Sequence, residues 1–138
     1  MNASFQIRSS QSHDQDLILR LIEPFVEQQL LMPRSAKEVF DLLEHGFVAV
    51  DDGEIIGFAS IEIYSRKLAE IQCLAVSAKA HGMGIGTQLI DACLLRAKEH
   101  QVHEVMAISS SGEFLEKCGF DYSLPGQKRA LFYNTGDK

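Results

Sequence analysis

The stretch from Cys73 to Ile90, CLAVSAKAHGMGIGTQLI, joins an apolar run to a helical pattern through three glycines at alternate positions. Glycines at such a junction let an anion approach the backbone without meeting a Cβ atom. The first amides of a helix have no intrahelical acceptor, and the helix dipole is positive there. A strand, a glycine turn and a helix N-terminus together predict a phosphate cradle. The alternative is a tight turn that needs glycine for its shape alone.

The spacing of these glycines excludes the two commonest nucleotide motifs. A P-loop requires a lysine after its last glycine, and GMGIGTQL has none. A dinucleotide fingerprint counted from Gly82 or Gly84 would place its third glycine at Thr87 or Leu89. The predicted cradle therefore serves a different phosphate ligand.

Size and charge limit the kind of protein that carries this stretch. At 138 residues and 46% hydrophobic, the chain predicts one domain, residues 1–138, with its own core. A net charge of −6 and the lack of a basic cluster argue against nucleic acid as a partner. The apolar runs are short and Met1 to Ser10 lacks the core of a signal peptide, so we expect no membrane association and a cytoplasmic protein.

Cysteine and histidine spacing predicts no metal site. Cys73, Cys93 and Cys118 lie too far apart for a disulfide framework or a zinc motif. His100 and His103 have no third ligand at a usable spacing, and we interpret them as exposed side chains.

Local patterns predict a mixed sheet flanked by helices, of the α/β (α+β) class, in the order β, α, α, β, β, β, α, β, α, β, β. The predicted helices run to about Gln29, with Pro24 kinking or interrupting the chain, from a Ser35–Glu38 capping box to about Glu44, from Ile85 to His100, and from Gly112 to Lys117. The predicted strands are Phe5–Arg8, a hairpin around Asp51–Gly53, Ala69–Val76 with its second half buried on both faces, Glu104–Ile108, a piece after Gly119, and Ala130–Tyr133.

Two segments resemble the signatures of the GNAT family of N-acetyltransferases. The glycine stretch is similar to its coenzyme A motif, [QR]-x-x-G-x-[GA] after an apolar strand, and FLEKCGF is similar to its F-Y-E-K-x-G-F. Gly84 and Gly86 match the motif, whereas His81 and Leu115 replace the usual glutamine or arginine and the usual tyrosine. The resemblance implies a mostly antiparallel sheet of six to seven strands, about four helices, and a splayed strand pair at an acetyl-CoA groove.

The resemblance also implies acetyl-CoA as the co-substrate. The backbone of Leu74, Ala75 and Val76 would pair with the pantetheine arm, because a splayed strand has unpaired amides. The pyrophosphate would lie in the cradle formed by His81, Gly82, Met83, Gly84, Ile85, Gly86 and Thr87.

Acetyl transfer to an amine needs a deprotonated nucleophile and a donor to the developing oxyanion. Glu70 is the predicted base, on the expectation that Ala69 and Ile71 raise its pKa by desolvation. The alternative is an exposed carboxylate at a strand end. Ser109 is a second candidate, to hydrogen-bond the amine or orient a water, unless it belongs to a plain loop. Leu115 leaves the general acid unassigned.

A closer resemblance concerns the acceptor. IEPFVEQQLLMPRS, EIQCLAV, GEFLEKCGF and KRALFYN resemble segments of the acetyltransferase domain of bacterial N-acetylglutamate synthases, here in a short stand-alone form. This implies L-glutamate as the acceptor in arginine biosynthesis, with Arg34, Lys128 and Arg129 gripping carboxylates and Cys73 in the acceptor site. Acetylation of another small amine or a protein amine, and an acyl-CoA sensor without activity, stay open. We expect a monomer or a homodimer.

Overall fold

The computed structural model describes residues 4–109, 112–122, 133, 135 and 136. The chain forms two compact units, residues 1–107 and 108–138. We describe each unit by itself.

The larger unit is a mixed five-stranded sheet with three α-helices. Its strands are β1 (Gln6–Ser9), β2 (Gly46–Asp51), β3 (Glu54–Ile63), β4 (Leu68–Val76) and β5 (Glu104–Met106), adjacent in that order. Its helices are α1 (Gln15–Glu27), α2 (Ala36–Leu42) and α3 (Ile85–Glu99). The first three strand pairings are antiparallel and the β4–β5 pairing is parallel. The predicted fold class is confirmed.

The strand count is lower than the six to seven expected. Five strands lie in the described residues, and residues 120–122, where an extended piece was predicted, belong to none. The last predicted strand, Ala130–Tyr133, lies outside the described residues except for Tyr133.

The turns that frame the sheet follow local sequence chemistry. Asp52 and Gly53 have φ angles of 51° and 78°, the left-handed conformation that a two-residue hairpin turn requires. The Ser35 hydroxyl accepts from the Glu38 amide at 3.1 Å, and the Ser35 amide donates to the Glu38 carboxylate at 2.8 Å. The predicted hairpin and capping box are both confirmed.

Helix α1 continues past Pro24 to Glu27, so the chain is not interrupted there, and the other predicted outcome, a kink, stays a prediction. Pro24 lies in the last turn, where its carbonyl accepts from the Gln28 amide at 3.1 Å. The helix ends at Glu27. Two residues later, Gln29 has a φ of 61° and donates to the Val26 carbonyl, while Leu30 donates to the Phe25 carbonyl. This pair of bonds satisfies the last carbonyls of the helix.

Apolar side chains cover both faces of the sheet. On one face, Phe58 of β3 is fully buried in a cluster with Ile18 of α1 and Val39 of α2. On the other, a Cβ atom added at Gly57 would lie 2.9 Å from Ile85 Cγ2, so glycine lets α3 approach β3 closely. Burial of each large apolar side chain contributes about 1.5–3 kcal/mol, and this packing fixes where α3 begins.

The described part of the smaller unit contains α4 (Gly112–Lys117), with the bounds that the sequence predicts. Gly119 has a φ of 98° and donates to the Glu116 carbonyl at 3.0 Å, while Phe120 donates to the Leu115 carbonyl at 3.0 Å. The glycine of the FLEKCGF segment is thus needed to end the helix in a left-handed cap.

Candidate active site

The phosphate cradle lies where β4 gives way to α3. Gly82 and Gly84 have φ angles of 85° and 79°, and Gly84 is the N-terminal cap of α3. The amides of the first helical turn, Ile85 to Thr87, point out of the helix without an intrahelical acceptor. A Cβ atom at either glycine would meet nothing within 4 Å, so the space over the loop is open. The loop has the geometry and the dipole to hold a pyrophosphate.

The His81 side chain contacts the strand that precedes the cradle. Its Nε2 lies 3.0 Å from the Val76 carbonyl oxygen, five residues earlier. The ring therefore fixes the loop against the end of β4, and the groups of the loop suited to an anion are its backbone amides. Met83, between the two glycines, is half-buried.

Strand β4 is only partly paired with β5. The parallel register joins Leu68 to Glu104 and ends with Glu70 opposite Met106. Beyond Glu70, β4 has no partner on that edge among the described residues, and unpaired backbone groups of this kind need other hydrogen-bond partners. The predicted splay of the strand pair stays a prediction; the register shows where the pairing stops.

The prediction that the second half of β4 is buried on both faces is wrong. Burial alternates up to Val76: Cys73 and Ala75 are buried, and Leu74 and Val76 are half-buried. The apolar run CLAV suggests a central strand, but within the described residues this part of β4 pairs with β3 alone.

A β-bulge divides β4 at Cys73. Ser60 pairs with Gln72 and Phe58 pairs with Ala75, so two residues of β4 oppose the single residue Ala59. Cys73 has a φ of 60°, rare for a residue with a side chain. Such a bulge interrupts the hydrogen-bond ladder and re-aims the side chains on either side of it.

Five polar side chains form a connected group beside the bulge, which we call the polar cluster: Arg34, Glu62, Tyr64, Glu70 and Gln72. The Gln72 amide oxygen accepts from Arg34 Nη2 at 3.0 Å, and its Nε2 donates to Glu62 Oε1 at 3.1 Å and to Glu70 Oε1 at 3.2 Å. The Tyr64 hydroxyl donates to Glu70 Oε1 at 2.6 Å. One amide side chain thus links a guanidinium to two carboxylates.

Each member of the polar cluster is set in place by a nearby element. Glu62 and Glu70 are directly opposite in the β3–β4 register, and Tyr64 follows the end of β3. Arg34 comes from the connection between α1 and α2, where its Nη1 also donates to the Met32 carbonyl at 3.2 Å.

The surroundings shift two acid–base groups of the site. Burial, reinforced by the bond to Glu70 and the charges of Glu70 and Glu62, raises the pKa of the Tyr64 phenol above its usual range. Burial also raises the pKa of the Cys73 thiol, although the Arg34 charge opposes this shift. Both groups stay protonated at neutral pH, so Tyr64 is a donor and Cys73 is not a nucleophile.

The environment of Glu70 differs from the expectation. Ala69 and Ile71 are buried, but neighbours along a strand point to opposite faces, so they do not surround the carboxylate. The half-buried Glu70 carboxylate instead faces Tyr64 and Gln72, with Glu62 across the sheet.

The remaining predicted site residues lie elsewhere in the chain. Ser109 is exposed in the smaller unit, and Leu115 of that unit is buried in α4. Lys128 and Arg129 lie outside the described residues. In the part of the chain that the structure describes, no three His, Cys, Asp or Glu side chains are grouped to hold a metal, and no helix could cross a membrane.

Sequence reasoning missed Glu62, Tyr64 and Gln72. A signal was present, because SIEIY and EIQ place polar residues at every second position of two adjacent strands. Such alternation puts them on one face of the sheet.

A glycine cradle at a helix N-terminus, beside an unpaired strand edge, defines a site for a long phosphate-bearing acyl carrier. The model of the acetyltransferase (GNAT) family matches residues 13–120 of this chain. The chain belongs to that family: it is an N-acetyltransferase, and acetyl-CoA is its acyl donor.

Three similar proteins illustrate the relationship. An uncharacterized N-acetyltransferase of Chlorobaculum tepidum is 29% identical over 114 residues, which cover 83% of this chain and 74% of that protein. The amino-acid acetyltransferase of Neisseria meningitidis is 30% identical over 97% of this chain and 32% of its own length. The N-acetylglutamate synthase of Neisseria gonorrhoeae, solved with coenzyme A and N-acetyl-glutamate, has a TM-score of 0.77 at 28% identity, over 85% of this chain and 28% of that one. The chain spans about a third of the length of such amino-acid acetyltransferases.

Proposed function

We propose that this chain transfers the acetyl group of acetyl-CoA to the α-amine of an acidic amino acid, with L-glutamate as the acceptor. This would be the N-acetylglutamate-forming step of arginine biosynthesis, in the cytoplasm. The observation that carries the proposal is the pairing of Arg34 and Glu70 through one side chain, Gln72, beside the β4 bulge.

The charges of this pair match those of an amino acid. A guanidinium suits a carboxylate, which it binds through two parallel hydrogen bonds, whereas Glu70 suits an ammonium group. Arg34 is only half-buried and its charge acts on the Cys73 thiol, so it lies close to the unpaired part of β4. An acceptor with both an amine and a carboxylate can engage both ends of the cluster. The similarity to proteins called amino-acid acetyltransferase supports this class of acceptor.

Acetyl transfer from the thioester to an amine requires few protein groups. Glu70 takes one proton from the acceptor ammonium, and the neutral nitrogen attacks the thioester carbon. The carbon–sulfur bond then breaks as the nitrogen gives up its second proton, which the departing coenzyme A thiolate takes up to leave as the thiol. A backbone amide at the Cys73–Leu74 bulge, where the β3–β4 ladder is interrupted, would donate to the thioester oxygen as negative charge develops there. Arg34 holds the acceptor through its carboxylate.

A cationic acceptor is the second candidate, because two carboxylates, Glu62 and Glu70, face each other in the cluster. A polyamine would use both of them and leave Arg34 without a role in binding. The two candidates therefore differ in the part that they assign to Arg34.

A panel of acceptors distinguishes them. The purified chain is incubated with acetyl-CoA and L-glutamate, L-aspartate, L-glutamine or spermidine while free thiol is measured. We expect kcat/KM for L-glutamate to exceed that for L-glutamine at least about tenfold, since Arg34 is proposed to pair with the side-chain carboxylate and the side-chain amide of glutamine cannot form that charge-assisted pair. Equal rates with all four, or a preference for spermidine, would reject the acidic acceptor. Thiol release with none of them would favour the acyl-CoA sensor.

A further inference from the structure

The Tyr64 hydroxyl lies near two opposed carboxylates but close enough to only one of them for a strong hydrogen bond. Its oxygen lies 2.6 Å from Glu70 Oε1 and 3.4 Å from Glu62 Oε1. A phenol carries a single proton and can donate one good hydrogen bond. The short distance indicates that this proton is committed to Glu70.

Both hydrogen bonds to the Glu70 carboxylate fall on the same oxygen. Oε1 accepts from Tyr64 and, at 3.2 Å, from Gln72 Nε2. Among the described residues, Glu70 Oε2 accepts no hydrogen bond. The carboxylate is therefore held by one oxygen and presents the other.

We propose that Tyr64 is a positioning residue for Glu70: its hydroxyl holds Oε1 so that Oε2 faces the acceptor amine as an ionised base. This inference rests on the proposed role of Glu70 as the base. Tyr64 itself need touch neither substrate, and it acts through the carboxylate.

The charges around Glu70 explain why a donor is needed there. Glu62 from β3 repels its negative charge, whereas the Arg34 cation reaches it only through Gln72. The Cys73 thiol beyond Gln72 is neutral because burial raises its pKa. A hydrogen bond donated to the charged form of a carboxylate favours that form, so Tyr64 opposes the repulsion from Glu62.

The test is the Tyr64→Phe variant, which removes the hydroxyl and keeps the ring. With the acceptor that gives the highest turnover, we expect kcat to fall about tenfold or more, because proton transfer to a positioned base contributes on the order of a hundredfold or more. The KM for acetyl-CoA should stay within about twofold. The acidic limb of the kcat/KM profile should move to higher pH, and adding Glu62→Gln should move it back, since that change removes the repelling charge.

Two controls keep the inference distinct from the proposed function. Tyr122→Phe changes an exposed tyrosine of the smaller unit and should leave kcat and the pH profile unaltered. Glu70→Gln is measured in parallel. If Glu70→Gln loses activity while Tyr64→Phe keeps the wild-type kcat and acidic limb, the positioning role alone is wrong. Full activity of Glu70→Gln at every pH would reject Glu70 as the base, and with it the role of Tyr64 as its positioning residue. The assay uses whichever acceptor of the panel gives the highest turnover, so the test of Tyr64 remains valid even if L-glutamate is not the acceptor.

Discussion

The phosphate cradle and the polar cluster flank the same strand but are built from different parts of the chain. The cradle consists of consecutive residues that offer backbone amides, with two glycines at positive φ before the first turn of α3. The polar cluster consists of side chains from the α1–α2 connection, the end of β3 and the start of β4. Under the proposed function, donor binding would depend on local backbone conformation, and acceptor chemistry would depend on strand register.

This difference predicts how each region responds to substitution. A change in the cradle should alter the KM for acetyl-CoA, because it alters the space and the amides offered to the phosphates. A change in the polar cluster should alter kcat or the KM for the acceptor. A cradle variant that changes kcat or the acceptor KM, or a polar-cluster variant that changes the KM for acetyl-CoA, would show that the two regions are not independent.

The largest effect is expected from Glu70→Gln, which keeps the shape of the side chain and removes the base. We expect kcat to fall about a hundredfold near neutral pH, within the range for general base catalysis. The loss should shrink at high pH, where more of the acceptor amine is already neutral. A pH profile of kcat over the range in which the protein stays folded checks both parts. The matched control is Glu62→Gln on the opposite strand, and a larger loss there than at Glu70 would reassign the base.

A smaller effect is expected from Gly84→Ala, for which the chain offers a matched control in Gly53→Ala. Both glycines have φ near 80° and open space around a Cβ atom, so each alanine should cost about 1 kcal/mol of stability. Only the Cβ atom at Gly84 would enter the space over the cradle, and there we expect the KM for acetyl-CoA to rise about tenfold, equivalent to about 1.4 kcal/mol of binding. Steady-state kinetics and denaturant unfolding of both variants test this. A similar rise in KM for Gly53→Ala would show that the effect reflects stability alone.

The smallest effect is the pH dependence of stability that His45 contributes. It is measured separately from the acidic limb of the kcat/KM profile, because both lie below neutral pH. Burial, together with the charges of Arg96 and His100, lowers the pKa of His45 below its ordinary value of 6.5, against the pull of Glu44. The unfolded chain therefore takes up this proton first, so stability is complete above pH 6.5 and is lost as the pH falls through the folded-state pKa. We therefore expect the free energy of unfolding to fall with pH in this window, by less than the effects of the other substitutions. Denaturant unfolding should show a smaller drop in the free energy of unfolding between pH 7 and pH 5 for His45→Gln than for the wild type. An equal drop in the two proteins would mean that other groups cause the pH dependence.

The parts of this protein that the sequence predicts are those governed by neighbouring residues. The Asp51–Gly53 hairpin, the Ser35–Glu38 capping box and the start of α3 follow from glycine conformation and capping chemistry. Pro24 does not interrupt α1, because the missing amide falls near the end of the helix, where only three residues follow it, the last of them Glu27.

Predicting the polar cluster would have required knowing the register of β3 and β4. Glu70 could be proposed as a base from its place in a strand, but its partners Tyr64 and Glu62 come from across a hairpin whose pairing shifts at the Cys73 bulge. A bulge leaves little trace in a single sequence, because the residue in the unusual conformation is here a cysteine and not a glycine.

The central claim is that the acceptor is held by its carboxylate at Arg34 while the donor is held independently at the cradle. The most direct test is kcat/KM for L-glutamate in Arg34→Gln, with the dissociation constant for coenzyme A measured on the same protein. We predict that kcat/KM falls at least about tenfold, as expected for loss of a charged hydrogen-bonded pair, while the dissociation constant changes less than about twofold. An unchanged kcat/KM, or a parallel loss of coenzyme A binding, would contradict the account.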